Sequence, residues 1–180
     1  SNSSVSDSLF LYKQRSGTQS DPIVIRKSSE LLSLNKNLYY EFGNDIDMKR
    51  ETTNLYGDFY NSGNGWNPFD FSGHLDGNGY KISNLYSKYG SLFKNVKNAS
   101  IKDVNFNNFD IVDTSNTESY SGIIAKSIDN NSILSNILIN NSAIVCNKTS
   151  CGVLVGNLKD GNINNIHIIF WVILCSNYKK

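Results

Sequence analysis

Gly90-Ser91-Leu92-Phe93-Lys94, Gly122-Ile123-Ile124-Ala125-Lys126 and Gly152-Val153-Leu154-Val155-Gly156 can be laid over one another. Each is followed, after a polar turn, by a second apolar strand: Ile101-x-x-Val104-x-Phe106, Leu134-x-x-Ile137-x-Ile139 and Ile163-x-x-Ile166-x-Ile168. The leading glycines stand about 32 and then about 30 residues apart, a spacing typical of solenoid repeats. One such unit cannot bury its apolar side alone. Stacking the next unit on it, roughly 4.8 Å away, pairs the backbone groups and continues the apolar column. The expected fold is therefore all-β, a short right-handed parallel β-helix. Its interior columns are Leu92/Ile124/Leu154, Val104/Ile137/Ile166 and Phe106/Ile139/Ile168, with the polar residues between them facing out. β-Branched residues, abundant Asn and Gly, and the lack of a long helical stripe argue against a helical protein with accidental periodicity.

Upstream, Ile23-Val24-Ile25 reads as a strand opened by Pro22. Leu31, Leu32 and Leu34 recur at helical spacing, giving a short helix from an N-capping Ser28 to Asn35, placed to cap the first turn. Tyr39 to Phe42 and Ile46-Asp47-Met48 read as strands on either side of a turn. The stretch from Lys49 to Asn67 is rich in Asn, Gly, Ser and Asp and reads as a long surface loop. Asp76-Gly77-Asn78-Gly79 is a turn, because Gly and Asn tolerate positive φ and the Asp76 side chain can bond the backbone. At the other end, Ile169-Phe170-Trp171-Val172-Ile173-Leu174 breaks the alternation. It fits a buried final strand, an apolar cap, a contact for another copy of the chain or a truncated reading frame. These readings divide the chain into a flexible segment, 1–20, and a single β-helix domain, 21–180. The domain comprises a capping block with the first turns (21–88), three degenerate repeats (89–169) and an apolar tail (170–180).

At 180 residues the chain is long enough for one domain with a substantial core. A formal charge of +1, with no basic stripe, gives nucleic acid little support. Hydrophobic content of 39% argues against wholesale disorder. Asparagine supplies 27 residues. An AT-rich genome would explain that; so would a structural need, since Asn suits turns and left-handed positions and can stack in ladders along a solenoid. Of the three cysteines, Cys146 and Cys151 flank a short loop and could bridge in an oxidising compartment, although two free thiols is the preferred reading. No signal peptide is recognised in the polar start, Ser1 to Ser8. The longest apolar run, Ile166 to Cys175, is too short to span a bilayer.

The block Asn44-Asp45-Ile46-Asp47, then Trp66-Asn67-Pro68, then Phe71-Ser72-Gly73-His74-Leu75-Asp76-Gly77-Asn78-Gly79-Tyr80-Lys81-Ile82-Ser83-Asn84-Leu85 resembles bacterial surface proteins with GLUG repeats. The likeness covers roughly Pro22 to Ile168. The repeats depart from that pattern: Ser91, Ile123 and Val153 replace the second glycine, and Lys94 and Lys126 replace the last, kept only as Gly156. The resemblance implies a parallel β-helix on an exported, adhesin-like protein. It also extends to the repeat region beside the catalytic part of metallopeptidases that cleave immunoglobulin A.

The chemistry expected of the chain is sparse. The only histidines, His74 and His167, lack the two-His helical pattern of a zinc peptidase, and Cys146, Cys151 and His167 lack a fourth zinc ligand. No metal or cofactor is expected. A carbohydrate-active enzyme on a β-helix face would draw on Asp45, Asp47, Asp70, Asp76, Asp103 or Asp110, and needs Asp45, Asp47 or Asp70 to converge with a basic residue. Tyr56, Phe59, Tyr60 and Trp66 cluster in the long loop. They are the candidate ligand-binding residues, for sugar stacking, unless they pack the loop onto the wall. Gly90, Leu92, Gly122, Ile124, Gly152, Leu154 and Gly156 are repeat positions; Asp76, Gly77, Asn78 and Gly79 are turn positions. The favoured expectation is a non-catalytic, secreted or cell-surface module for adhesion, ligand binding or presentation. Its partners would be a host or cell-surface glycan or protein, or a second copy meeting the C-terminal end, with the lyase or hydrolase as the alternative.

Overall fold

A computed structural model describes residues 14–114 and 119–175. Most of the expected flexible start (1–13) and the end of the apolar tail (176–180) lie outside the described residues. The first strands are β1 (Ile23–Ile25), β2 (Tyr39–Phe42), β3 (Ile46–Asp47), β4 (Phe69–Phe71), β5 (His74–Asp76), β6 (Lys81–Ser83) and β7 (Tyr86–Ser87). The repeats supply β8 (Phe93–Lys97), β9 (Ser100–Asn107), β10 (Asp110–Asp113), β11 (Tyr120–Gly122), β12 (Ala125–Asp129), β13 (Ser132–Cys146), β14 (Ser150–Gly152), β15 (Val155–Leu158) and β16 (Gly161–Cys175). One wall stacks β1, β2, β5, β9, β13 and β16; another stacks β4, β8, β12 and β15; β11 and β14 pair beside them. Each of these stacked pairings is parallel. The fold is a parallel β-solenoid.

The registers align the repeats residue for residue. Phe93 lies beside Ala125 and Ala125 beside Val155; Val104, Ile137 and Ile166 share a row, as do Phe106, Ile139 and Ile168. Between the walls, the Leu92 N–H donates to Ile123 O at 3.0 Å and the Ile124 N–H to Leu154 O at 3.0 Å. One apolar core runs from Ile25 to Cys146, and Leu92, Ile124, Val104, Ile137, Phe106 and Ile139 are buried in it. The third member of each row is less enclosed: Leu154 and Ile166 are half-buried and Ile168 is exposed. Those residues sit on the last rung, where β16 has β13 on one side and no described strand on the other.

The long strands turn corners at left-handed residues. Twelve described non-glycine residues have positive φ, and ten of them are Asn. Asn tolerates this region because its short amide can bond locally. Asp103, Asn136 and Asn165 bend β9, β13 and β16 at successive rungs. Their side chains form a ladder: Asn136 Nδ2 donates to Asp103 Oδ1 at 3.0 Å, and Asn165 Nδ2 donates to Asn136 Oδ1. A second ladder runs from Asp47, which accepts from Asn84 Nδ2 at 2.9 Å, to Asn108, which donates to Asn84 Oδ1 at 2.6 Å. The direction is forced. An ionised Asp only accepts, so the amide above it must present its nitrogen and leave its oxygen for the next rung.

The upstream elements differ from expectation in detail. The segment Ser28–Asn35 is a 3-10 helix, with Lys27 rather than Ser28 at the N-cap position. Glu30 takes the capping role instead, accepting from the Arg26 and Lys27 N–H groups at 2.7 and 2.9 Å. Leu31 and Leu34 enter the core while Leu32 is 50% exposed. Within the expected loop, α1 (Lys49–Thr53) forms, because Thr52 is buried and its N–H closes a turn onto Met48 O at 3.0 Å. Cys146 and Cys151 form a disulfide, Cα atoms 6.6 Å apart, which corrects the preference for free thiols. The end of β13 and the middle of β14 bring the two sulfurs together. The sequence alone does not disclose the redox compartment that decides such a pair.

Candidate functional site

The loop aromatics do not assemble into one exposed platform. Trp66 is 1% exposed, and its Nε1–H donates to Leu92 O at 2.7 Å. Phe59, 5% exposed, meets the Trp66 ring edge-on at 4.9 Å. Contacts continue inward through Phe69 and Phe93 to Phe71, which stacks on Phe93 at 4.5 Å. This half of the set fastens the loop to the wall, the packing role weighed against sugar stacking. Tyr60 is half-buried and Tyr56 is 80% exposed.

Of the carboxylates proposed for catalysis, Asp47, Asp76, Asp103 and Asp110 stand on different strands of one sheet and Asp70 on another, and the bonds they make hold up the architecture. Asp45 accepts from the Lys81 N–H at 3.0 Å, and Asp47 from the Lys49 N–H and Asn84. Asp70, on the other wall, accepts from both the backbone N–H and Nδ2 of Asn95. Asp76 accepts from the Asn78 N–H at 2.9 Å within its turn, where Asn78 and Gly79 have positive φ. Gly77 is crowded there, since a Cβ would stand 2.4 Å from Asp103 O. Among the described residues no group of three His, Cys, Asp or Glu could hold a metal ion.

Register brings together a different set. On the outer face, Tyr39, His74 and Ser100 follow one another across β2, β5 and β9, and Glu41, Asp76 and Lys102 form the parallel row two residues along. Tyr39 and His74 stack with ring centroids 4.3 Å apart, and His74 Nδ1 lies 2.8 Å from Ser100 Oγ. Lys102 Nζ donates to Asp76 Oδ2 at 3.0 Å. That hydrogen bond, with the Asp76 charge, holds the ammonium above its ordinary value. With Gln19 and Pro22 as a rim, these side chains line a groove of about 430 Å³. These residues lie 35 and 26 positions apart in the chain, so only the stacking register unites them.

A second cluster is buried. Asp113, at the end of β10, is 0% exposed; Lys126 Nζ donates to its Oδ2 at 3.3 Å and Lys148 Nζ to its Oδ1 at 3.2 Å. Gly90 closes over it with φ +101, where a Cβ would come 2.6 Å from Asp113 Oδ2. Lys126 aligns with Gly156 in the chain's own repeats. In the structure it is part of a charged staple.

The family described as the M26 IgA1-specific metallo-endopeptidase N-terminal region matches residues 25–141. The chain belongs to this family. No curated protein and no solved structure matched it. The M26 N-terminal region begins at β1 and ends within β13, so it takes in both outer rows of the groove, the loop aromatics and Asp113. Membership agrees with the expected likeness to the region beside immunoglobulin A peptidases; the GLUG repeat name is no part of the match. No helix among the described residues of this M26 N-terminal region is long and apolar enough to cross a membrane.

Proposed function

We propose that the chain is a non-catalytic, exported module that binds a ligand or presents a neighbouring domain within a larger surface protein. The family match carries this reading, since the matched family is the N-terminal region of an endopeptidase rather than its catalytic part. The Cys146–Cys151 disulfide supports an oxidising, extracytoplasmic setting. The Ser28–Asn35 helix serves as the N-terminal cap, supported by the burial of Leu31 and Leu34, and the coil takes the right hand usual for parallel crossovers. In the loop, Tyr56 and Tyr60 are the aromatics left to meet a ligand. The test is a screen of the purified chain against host proteins and glycans, run beside peptide and glycan hydrolysis assays. Binding without turnover is expected. Turnover abolished by Asp45→Asn, Asp47→Asn or Asp70→Asn would overturn the reading in favour of a lyase or hydrolase.

A second reading, self-association through the C-terminal end, is favoured by one observation. Ile168, Ile169, Val172 and Leu174 are 39%, 44%, 52% and 57% exposed on a strand whose far edge meets no described strand. Light scattering across a concentration series should show a dimer that Val172→Lys dissociates. A monomer at every concentration removes this reading.

A further inference from the structure

Many outward polar side chains of this solenoid bond one another or the backbone of the next rung. The ladder amides bond one another, and Asp45, Asp47, Asp70 and Asp103 each accept from a neighbouring rung. The groove over β2, β5 and β9 differs. Its rows place two rings, a hydroxyl, two carboxylates and an ammonium on the outer face instead of asparagines.

We propose that this groove binds a neutral, hydroxyl-rich oligosaccharide, a reading that rests on the binding-module function above and names its ligand class. Charge sets the class. Asp76 and Lys102 neutralise each other at 3.0 Å. Glu41 remains, half-buried, and its one described side-chain bond is a long one of 3.4 Å from Asn78 Nδ2. Of the two groove carboxylates, Glu41 is thus the one with no described ion pair, and its charge disfavours acidic sugars. A carboxylate with spare acceptor capacity suits a pair of neighbouring hydroxyls, because both of its oxygens can accept charge-assisted hydrogen bonds. Lys102, Ser100 and Gln19 add donors at the edges, while the carbon surfaces of Tyr39, His74 and Pro22 suit the apolar face of a sugar ring. The volume of about 430 Å³ lies within the span of small-ligand sites. Stacking on Tyr39 and bonding to Ser100 hold His74 in place, so a ligand meets a preformed surface.

The test is a binding titration of the intact chain against neutral, sialylated and sulfated glycans. Glu41→Gln, His74→Ala and, as a control on the exposed loop, Leu55→Ser are titrated alongside, with circular dichroism to verify each fold. A neutral glycan should bind, weakened about tenfold or more by Glu41→Gln, which keeps the side-chain shape, and by His74→Ala. Leu55→Ser should leave it unchanged. A preference for acidic glycans or basic peptides, or neutral binding indifferent to both groove variants, overturns the proposal. Retention of a host protein with no glycan bound overturns it too and leaves the module reading standing. Hydrolysis of the bound neutral glycan upholds the groove and overturns the non-catalytic reading instead.

Discussion

β13 and β16 are the same rung written twice. They run in register over thirteen paired positions, and both turn at a left-handed Asn. Yet Ile139 is 0% exposed and its neighbour Ile168 is 39% exposed. The difference lies in the neighbours: β13 is held between β9 and β16, and among the described strands β16 pairs with β13 alone. In a solenoid an apolar pattern states which way a side chain points. Whether it is buried depends on the next rung.

The comparison can be broken most forcefully at the end of the enclosed rung, where Asp113 lies in register with Cys146. Asp113→Ala leaves the Lys126 and Lys148 ammonium groups buried together and should cost about 3–5 kcal/mol in urea unfolding. A loss below about 1 kcal/mol would show that the staple is solvated in solution. Next in size is a matched pair. Ile139→Ala should cost about 2–5 kcal/mol and Ile168→Ala under about 1 kcal/mol, although the chemical change is identical. Equal losses would mean that the last rung is covered in solution, which sharpens the self-association reading. Smaller again is the ladder. Asn136→Ala forfeits an amide bond on each side and places Cβ strain in the left-handed region, for a loss of about 2 kcal/mol. Asn136→Gly should recover roughly half of that by removing the strain. Asn165→Gly, which loses its bond to Asn136 and an exposed contact with His167 on its own rung, should cost less than Asn136→Gly, which loses bonds to both neighbouring rungs.

The smallest effect belongs to the opposite end of the stack. Burial raises Tyr40 above its ordinary value of 10.0, and its hydroxyl donates to Ser33 O and Lys36 O. Above that pH the unfolded chain ionises while the folded one keeps its proton. The stabilisation is therefore whole below pH 10 and falls as pH rises through the folded value. Tyr40→Phe should flatten this alkaline decline in a pH series of melting temperatures; an unchanged slope would assign it elsewhere.

Much of the architecture was legible because stacking repeats one constraint many times. The rows through Phe106 and Val104 follow from the repeat spacing alone, and the register agrees with them at each position. Asparagine abundance was legible as chemistry as well, since both its tolerance of positive φ and its ladders are in use. What stayed hidden depends on meetings between distant residues. Asp113 reads as an ordinary strand-end acid until Lys126 and Lys148 close on it. Tyr39 and His74 lie 35 positions apart, and aligning the upstream block with the repeats would have been the signal that joined them. The loop stayed open for a further reason: the composition around Trp66 and Phe59 suits either an exposed sugar platform or packing on the wall, and only the partner ring tells the two apart.

The one-way ladders also make the fold editable. A rung headed by Asn has complementary faces, nitrogen below and oxygen above, so copying it within the gene would lengthen the coil without disturbing its seam. A copied Asp103 rung would set carboxylate against carboxylate and stall there. Asparagine is in this sense the repeatable letter and aspartate the initial capital, written once where each seam starts.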